Sequence, residues 1–115
     1  MAKIYLEKLS HLVKKLNIED EVSKPIEIKH FFSGAALYIN ETICVSWSPV
    51  GLAFKLPESE VETLIKSGKA IPLKYFPKGH VKKGYALFTN PDDKKSSYWN
   101  KYFKKAAKLV LSEED

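Results

Sequence analysis

The stretch Thr42-Ile43-Cys44-Val45-Ser46-Trp47-Ser48-Pro49-Val50-Gly51-Leu52-Ala53-Phe54-Lys55-Leu56 decides the fold. Its first half alternates, with Ile43, Val45 and Trp47 expected on one side and Thr42, Cys44 and Ser46 on the other. That is the period of two of a β-strand. Leu52, Phe54 and Leu56 alternate with Ala53 and Lys55 in the second half. Between the halves, Ser48-Pro49-Val50-Gly51 puts proline second and glycine fourth, as a type I turn prefers. Two strands joined this tightly run antiparallel.

Toward the N-terminus the alternation continues through Ala35–Ile39, and Asn40-Glu41 reads as a two-residue turn because Asn tolerates a positive φ. With the run that starts at Ile26, three or four antiparallel strands form a meander. Before it, Tyr5, Leu9, Leu12, Val13 and Leu16 recur at spacings of three and four, which predicts a helix over residues 4–16. Lys14 and Lys15 suit the negative end of its dipole. The polar, acidic stretch 17–24 reads as a linker, closed by Pro25.

Toward the C-terminus Pro57 opens a helix, with Glu58, Glu60 and Glu62 near the positive end of its dipole. Val61, Leu64 and Ile65 are its buried stripe, and Gly68 is placed to end it in a left-handed conformation. Strands are expected around Leu73–Phe76 and Tyr85–Phe88, joined by a loop over 77–84. After the break Asn90-Pro91-Asp92-Asp93 comes a helix over 97–111, with Trp99, Tyr102, Phe103, Ala106 and Val110 as its buried stripe. Residues 112–115 are expected to fray, because carboxylates sit badly at a helix's negative end. The fold class is α+β: an antiparallel meander plus a hairpin, with three helices packed on the sheet.

The 115 residues suffice for one domain, and an apolar fraction of 44% is ordinary for a globular chain. No apolar run approaches the roughly 18 residues that cross a bilayer, so no membrane partner is expected. The N-terminal stretch lacks the apolar core of a signal peptide, which makes the cytoplasm the expected compartment. Cys44 is the one cysteine, which excludes an intrachain disulfide and a Cys-rich zinc site. The net charge is +5, and all 19 basic residues are lysine. Arginine is the usual bidentate reader of guanine, so its lack argues against base-specific DNA recognition; nonspecific attraction needs only charge.

Several pieces carry a family resemblance: Lys29-His30, Phe32-Ser33-Gly34, Ala36-Leu37-Tyr38, Leu52-Ala53-Phe54-Lys55, Pro91-Asp92-Asp93, and Trp99 with Ala106-Ala107. In this order, the stretch from Lys29 to Ala107 resembles the N-terminal domain of the TfoX family. That family has an arginine pair where Lys29-His30 stand and glycines where Ser33 and Ala36 stand. The resemblance implies a sheet with helices packed on it, similar to type III secretion chaperones. It also implies a link to the transcriptional control of competence, which some bacterial members exert with a second, C-terminal domain. These 115 residues leave no room for that domain.

Catalytic patterns are poor. His11, His30 and His80 are not at ligand spacing, and no carboxylate is patterned with them. A nucleophilic Cys44 would require His30 beside it in space. Gly79 and Gly84 fit no phosphate-cradling loop. No catalytic residue, metal or cofactor is assigned, and the chain is expected not to be an enzyme.

The segment from Lys94 to Lys108 holds six lysines and no acid: Lys94, Lys95, Lys101, Lys104, Lys105 and Lys108. Tyr98 lies beside them as the ring available to stack on a base, and Lys78, Lys82 and Lys83 extend the patch. The plainer reading is a solvated face opposite the buried aromatic stripe. The leading expectation is therefore a regulatory or adaptor domain that works through protein contacts, homodimerisation among them. Nonspecific nucleic-acid binding by the basic helix is the alternative, and small-molecule binding comes third.

Overall fold

The computed structural model describes residues 2–31, 33–74 and 81–113; of residues 2, 82 and 83 it describes the backbone alone. Helix α1 (Ala2–Lys15) and a single turn α2 (Ile18–Glu21) precede strands β1 (Ile26–Phe31), β2 (Gly34–Ile39), β3 (Thr42–Ser48) and β4 (Gly51–Lys55). Helix α3 (Glu58–Lys66), strands β5 (Ile71–Leu73) and β6 (Lys82–Phe88), two short 3-10 turns and helix α4 (Asn100–Glu113) complete the chain. The six strands form one antiparallel sheet in the order β1-β2-β3-β4-β6-β5, and the α+β fold is as expected.

Local chemistry sets the reversals. Asn40 and Glu41 both have positive φ (49° and 70°), and Ile39 pairs with Thr42 across them. The twist of such a turn matches that of the strands it joins. Gly34 opens β2 because a Cβ there would lie 2.2 Å from the Trp47 carbonyl oxygen. Gly68, at φ 79°, caps α3: its N–H donates to the Ile65 carbonyl, and the Lys69 N–H reaches back to Leu64 at 3.0 Å.

Strict alternation fails in one place. Leu37 pairs with Val45 but Tyr38 with Ile43, so Cys44 is the extra residue of a bulge. The bulge turns Cys44 into the main core, whereas Ile43 packs against a second cluster of Ala53, Leu73, Tyr85 and Leu87. The expected facing of Ile43 and Cys44 is thereby exchanged, while Val45 and Trp47 keep theirs.

Three further expectations are corrected. The stretch 17–24 is no simple linker: Asn17 reverses the chain at φ 54°, and Ile18, the first residue of α2, is buried in the main core. The first hairpin strand lies at Ile71–Leu73, before the expected position, and β6 begins at Lys82, inside the expected loop; residues 75–80 lie outside the described part. Glu113 is helical, and the Lys55 ammonium 2.6 Å away compensates its charge at the dipole's negative end. Of the stretch expected to fray, Ser112 and Glu113 are helical, and Glu114 and Asp115 lie outside the described residues.

The main core lies between one face of the sheet and helices α1, α3 and α4, each of which contributes buried residues to it. Its centre is aromatic. Phe54 meets Phe103 edge-on at 5.0 Å and stacks on Trp99 at 5.8 Å, and Phe88 meets Trp99 at 5.0 Å. Such pairs add about 0.5–1.5 kcal/mol each beyond the area they bury. This cluster holds α4 against the sheet in one rotation, so the helix's lysines face outward.

Candidate functional site

The lysines of α4 are placed as the 3.6-residue period requires. Tyr102, Phe103, Ala106, Ala107 and Val110 are buried, and Lys101, Lys104, Lys105 and Lys108 are exposed. Tertiary structure then supplies them with partners. Lys105 lies 3.1 Å from Glu60 of α3, and Lys104 lies 3.8 Å from Glu21 of α2. The acids that favour the starts of those two helices thus flank the basic face and offset part of its field.

Tyr98 is half-buried, with its ring edge-on to Trp99 at 4.9 Å. Lys94 and Lys101 sit 5.0 and 5.6 Å from the ring centroid. A ring that already holds two ammonium groups is not the vacant stacking platform expected from the sequence. Lys95 and Lys108 are exposed without an acidic partner among the described residues. Lys78 lies outside the described part, and the side chains of Lys82 and Lys83 are not described.

Tyr102 completes this corner. Burial pushes its hydroxyl up to about 12, helped by the neighbouring Tyr98 hydroxyl and by the charge of Glu60. It stays neutral across the physiological range and acts as part of the core.

Cys44 and His30 do not meet. His30 pairs with Ala35, which pairs with Trp47, so the imidazole is level with a residue three positions from Cys44. Two strand spacings, about 10 Å, separate β1 from β3. Burial pushes the Cys44 thiol up to about 12, against the opposing pull of Lys55. A neutral thiol shut inside the core is a poor nucleophile. Among the described residues no three His, Cys, Asp or Glu side chains cluster as metal ligands, and no helix is long and apolar enough to cross a membrane.

The outer edge of β1 offers a different kind of site. It is a full strand of six residues in unbroken register with β2, and no other strand pairs with it among the described residues. The Asn40 N–H donates to the Pro25 carbonyl at 2.8 Å, so Pro25 and Asn40 are a hydrogen-bonded pair. Antiparallel pairs alternate in this respect, so Glu27, Lys29 and Phe31 direct their backbone groups toward β2. Ile26, Ile28 and His30 therefore direct theirs outward. Ile26 and Ile28 are half-buried, and Glu27, Lys29 and His30 are exposed. Beside this edge runs a groove of about 390 Å³, lined by apolar Val13, Ile26 and Ile28 and by polar or charged residues that include Lys14, Asp20 and Glu27.

The sequence carries a signal for this site that charge and motif reading passed over. Ile26-Glu27-Ile28-Lys29 alternates cleanly with no proline or glycine inside it, which marks a regular strand. That the strand ends the sheet follows only from the strand order. Comparison with protein-family models and with curated proteins finds no match to this chain.

Proposed function

We propose that this chain is a non-enzymatic regulatory or adaptor domain that works through protein contacts, with the β1 edge as the place where an extended segment joins the sheet. The supporting observation is that edge: three residues, Ile26, Ile28 and His30, direct backbone donors and acceptors away from β2, next to a groove of mixed polar and apolar lining. Backbone pairing would supply affinity, and the groove beside α1 would select side chains. The resemblance to TfoX N-terminal domains adds a role in transcriptional or competence control as the setting for such contacts.

The lysine face of α4 supports nucleic-acid binding less well. Its cations are shared among Glu21, Glu60 and two tyrosine rings, and nonspecific affinity rests on lysines that can neutralise phosphates. A labelled DNA duplex titrated by fluorescence anisotropy should show no binding at physiological salt. Micromolar, steeply salt-dependent binding would move the function to α4.

The direct test is His30→Pro. The side chain is exposed and the amide points outward, so proline removes a donor from the edge without removing core packing. Affinity capture from a lysate of the protein's own cells should lose its specific partners in this variant. The same partners recovered by wild type and variant would refute the reading.

A further inference from the structure

Once the backbone polarity is known, the β1 edge has a self-complementary charge pattern. Glu27 and Lys29 flank Ile28 symmetrically, both are exposed, and both lie on the same face of the strand. Within one chain they are 3.6 Å apart, and the Lys29 ammonium sits 4.6 Å from the Tyr38 ring. A two-fold axis through Ile28 exchanges the two positions. Each Glu27 would then stand opposite the Lys29 of another copy.

Backbone hydrogen bonding admits this register. Ile28 is one of the residues whose N–H and C=O point outward, so Ile28 opposite Ile28 makes a hydrogen-bonded pair on the axis. Ile26 opposite His30 makes two more such pairs. Glu27 and Lys29 then form the non-hydrogen-bonded pairs, where Cα atoms approach to about 4.5 Å and side chains interact most closely. The neighbouring symmetric registers are worse. An axis through Glu27 or through Lys29 sets like charges opposite each other, and one through Ile26 sets Glu27 opposite Pro25.

We propose that the β1 edge binds a second copy of this chain, strand to strand about a two-fold axis at Ile28, joining the two sheets into one. This inference rests on the strand-addition reading above and names its partner. On the other face of the strand, Ile28 of the second copy would lie opposite Ile28, beside Val13 on the groove wall, and complete the burial of residues now half-exposed. The pattern is isologous, as a closed dimer requires.

The experiment is sedimentation equilibrium on the purified full chain from about 10 to 500 µM, where a small interface is populated. Wild type should show a monomer–dimer equilibrium. Glu27→Lys places lysine opposite lysine twice in the dimer, and Lys29→Glu places glutamate opposite glutamate twice. Each variant alone should weaken association by about tenfold or more. Mixed in equal amounts they should form a heterodimer, because every pair at the interface is then opposite in charge. Both substitutions are on exposed side chains, so folding is retained, as an unchanged circular dichroism spectrum would verify.

A wild-type chain that stays monomeric throughout overturns the inference, as does a mixture that fails to associate better than its components. The two failures separate cleanly. A monomeric chain whose partners are lost in His30→Pro refutes the second copy alone, and capture unaffected by His30→Pro refutes strand addition itself.

Discussion

The two edges of the sheet are built differently. β5 is three residues long, contains Pro72, and breaks register with β6 between Pro72 and Leu73. β1 is six residues long, contains no proline, and keeps register with β2 throughout. Shortness, proline and a bulge are the devices by which proteins keep a sheet edge from recruiting another strand. β5 has all three. β1 has none of them, and in the dimer proposed above its charges would be opposite in the register centred on Ile28 and alike in those centred on Glu27 or Lys29. The difference leaves β1 as the edge open to strand pairing and β5 as the protected one.

The largest effect should come from the centre that both edges depend on. Phe54 on β4 is wholly buried and touches the rings of Trp99, Tyr102, Phe103 and Phe88. Phe54→Ala should destabilise the chain by about 3–5 kcal/mol in urea unfolding. If it does so in one cooperative transition, the edges differ in recognition and not in stability. Separate transitions would mean that the β1 and β5 halves fold independently.

A smaller effect should appear in alkali. The Cys44 thiol ionises near 9.0 when unfolded and near 12 when folded, and the Tyr102 hydroxyl moves from 10.0 to about 12. Below pH 9 both groups are protonated in either state, and their contribution to stability is complete. As pH rises from 9 toward 12, the unfolded chain loses these protons while the folded chain keeps them, so stability falls. The melting temperature should decline across that window, and Cys44→Ala should flatten the decline. Because Cys44 sits in the bulge on the β1 side of β4, an unchanged slope would show that this half opens before the thiol titrates.

The smallest effect is expected at β5. Pro72→Thr restores one backbone donor, but the strand stays short and its register stays broken. Association measured by sedimentation should change by less than about twofold. A marked gain would show that proline alone closes this edge.

Much of the element order can be read directly from residues. Asn40 and Gly68 announce backbone conformations that few other residues adopt. The stripe from Trp99 to Val110 has the period of a helix with one buried face, and that spacing correctly placed the α4 lysines outside. The partners of those lysines were not legible. Glu21 and Glu60 lie far from Lys104 and Lys105 along the chain, and only the packing of α2 and α3 beside α4 brings them together. For the same reason Tyr98 appeared available for stacking until Lys94 and Lys101 were found over its ring.

The sequence by itself determined α1, the β2–β4 meander, α3 and most of α4, because turn residues and hydrophobic period act within a few residues of chain. It placed neither α2 nor the bounds of β5 and β6. Tertiary structure alone decided three things. It set the bulge at Cys44, where alternation has to give way to pairing with Leu37 and Tyr38. It inserted β6 between β4 and β5. It left β1 at the end of the sheet, so that Ile26-Glu27-Ile28-Lys29 became an edge. A strand's alternation encodes which side chains face the core, but its neighbours are set by contacts between distant segments, and only these determine which backbone groups are left to bind something else.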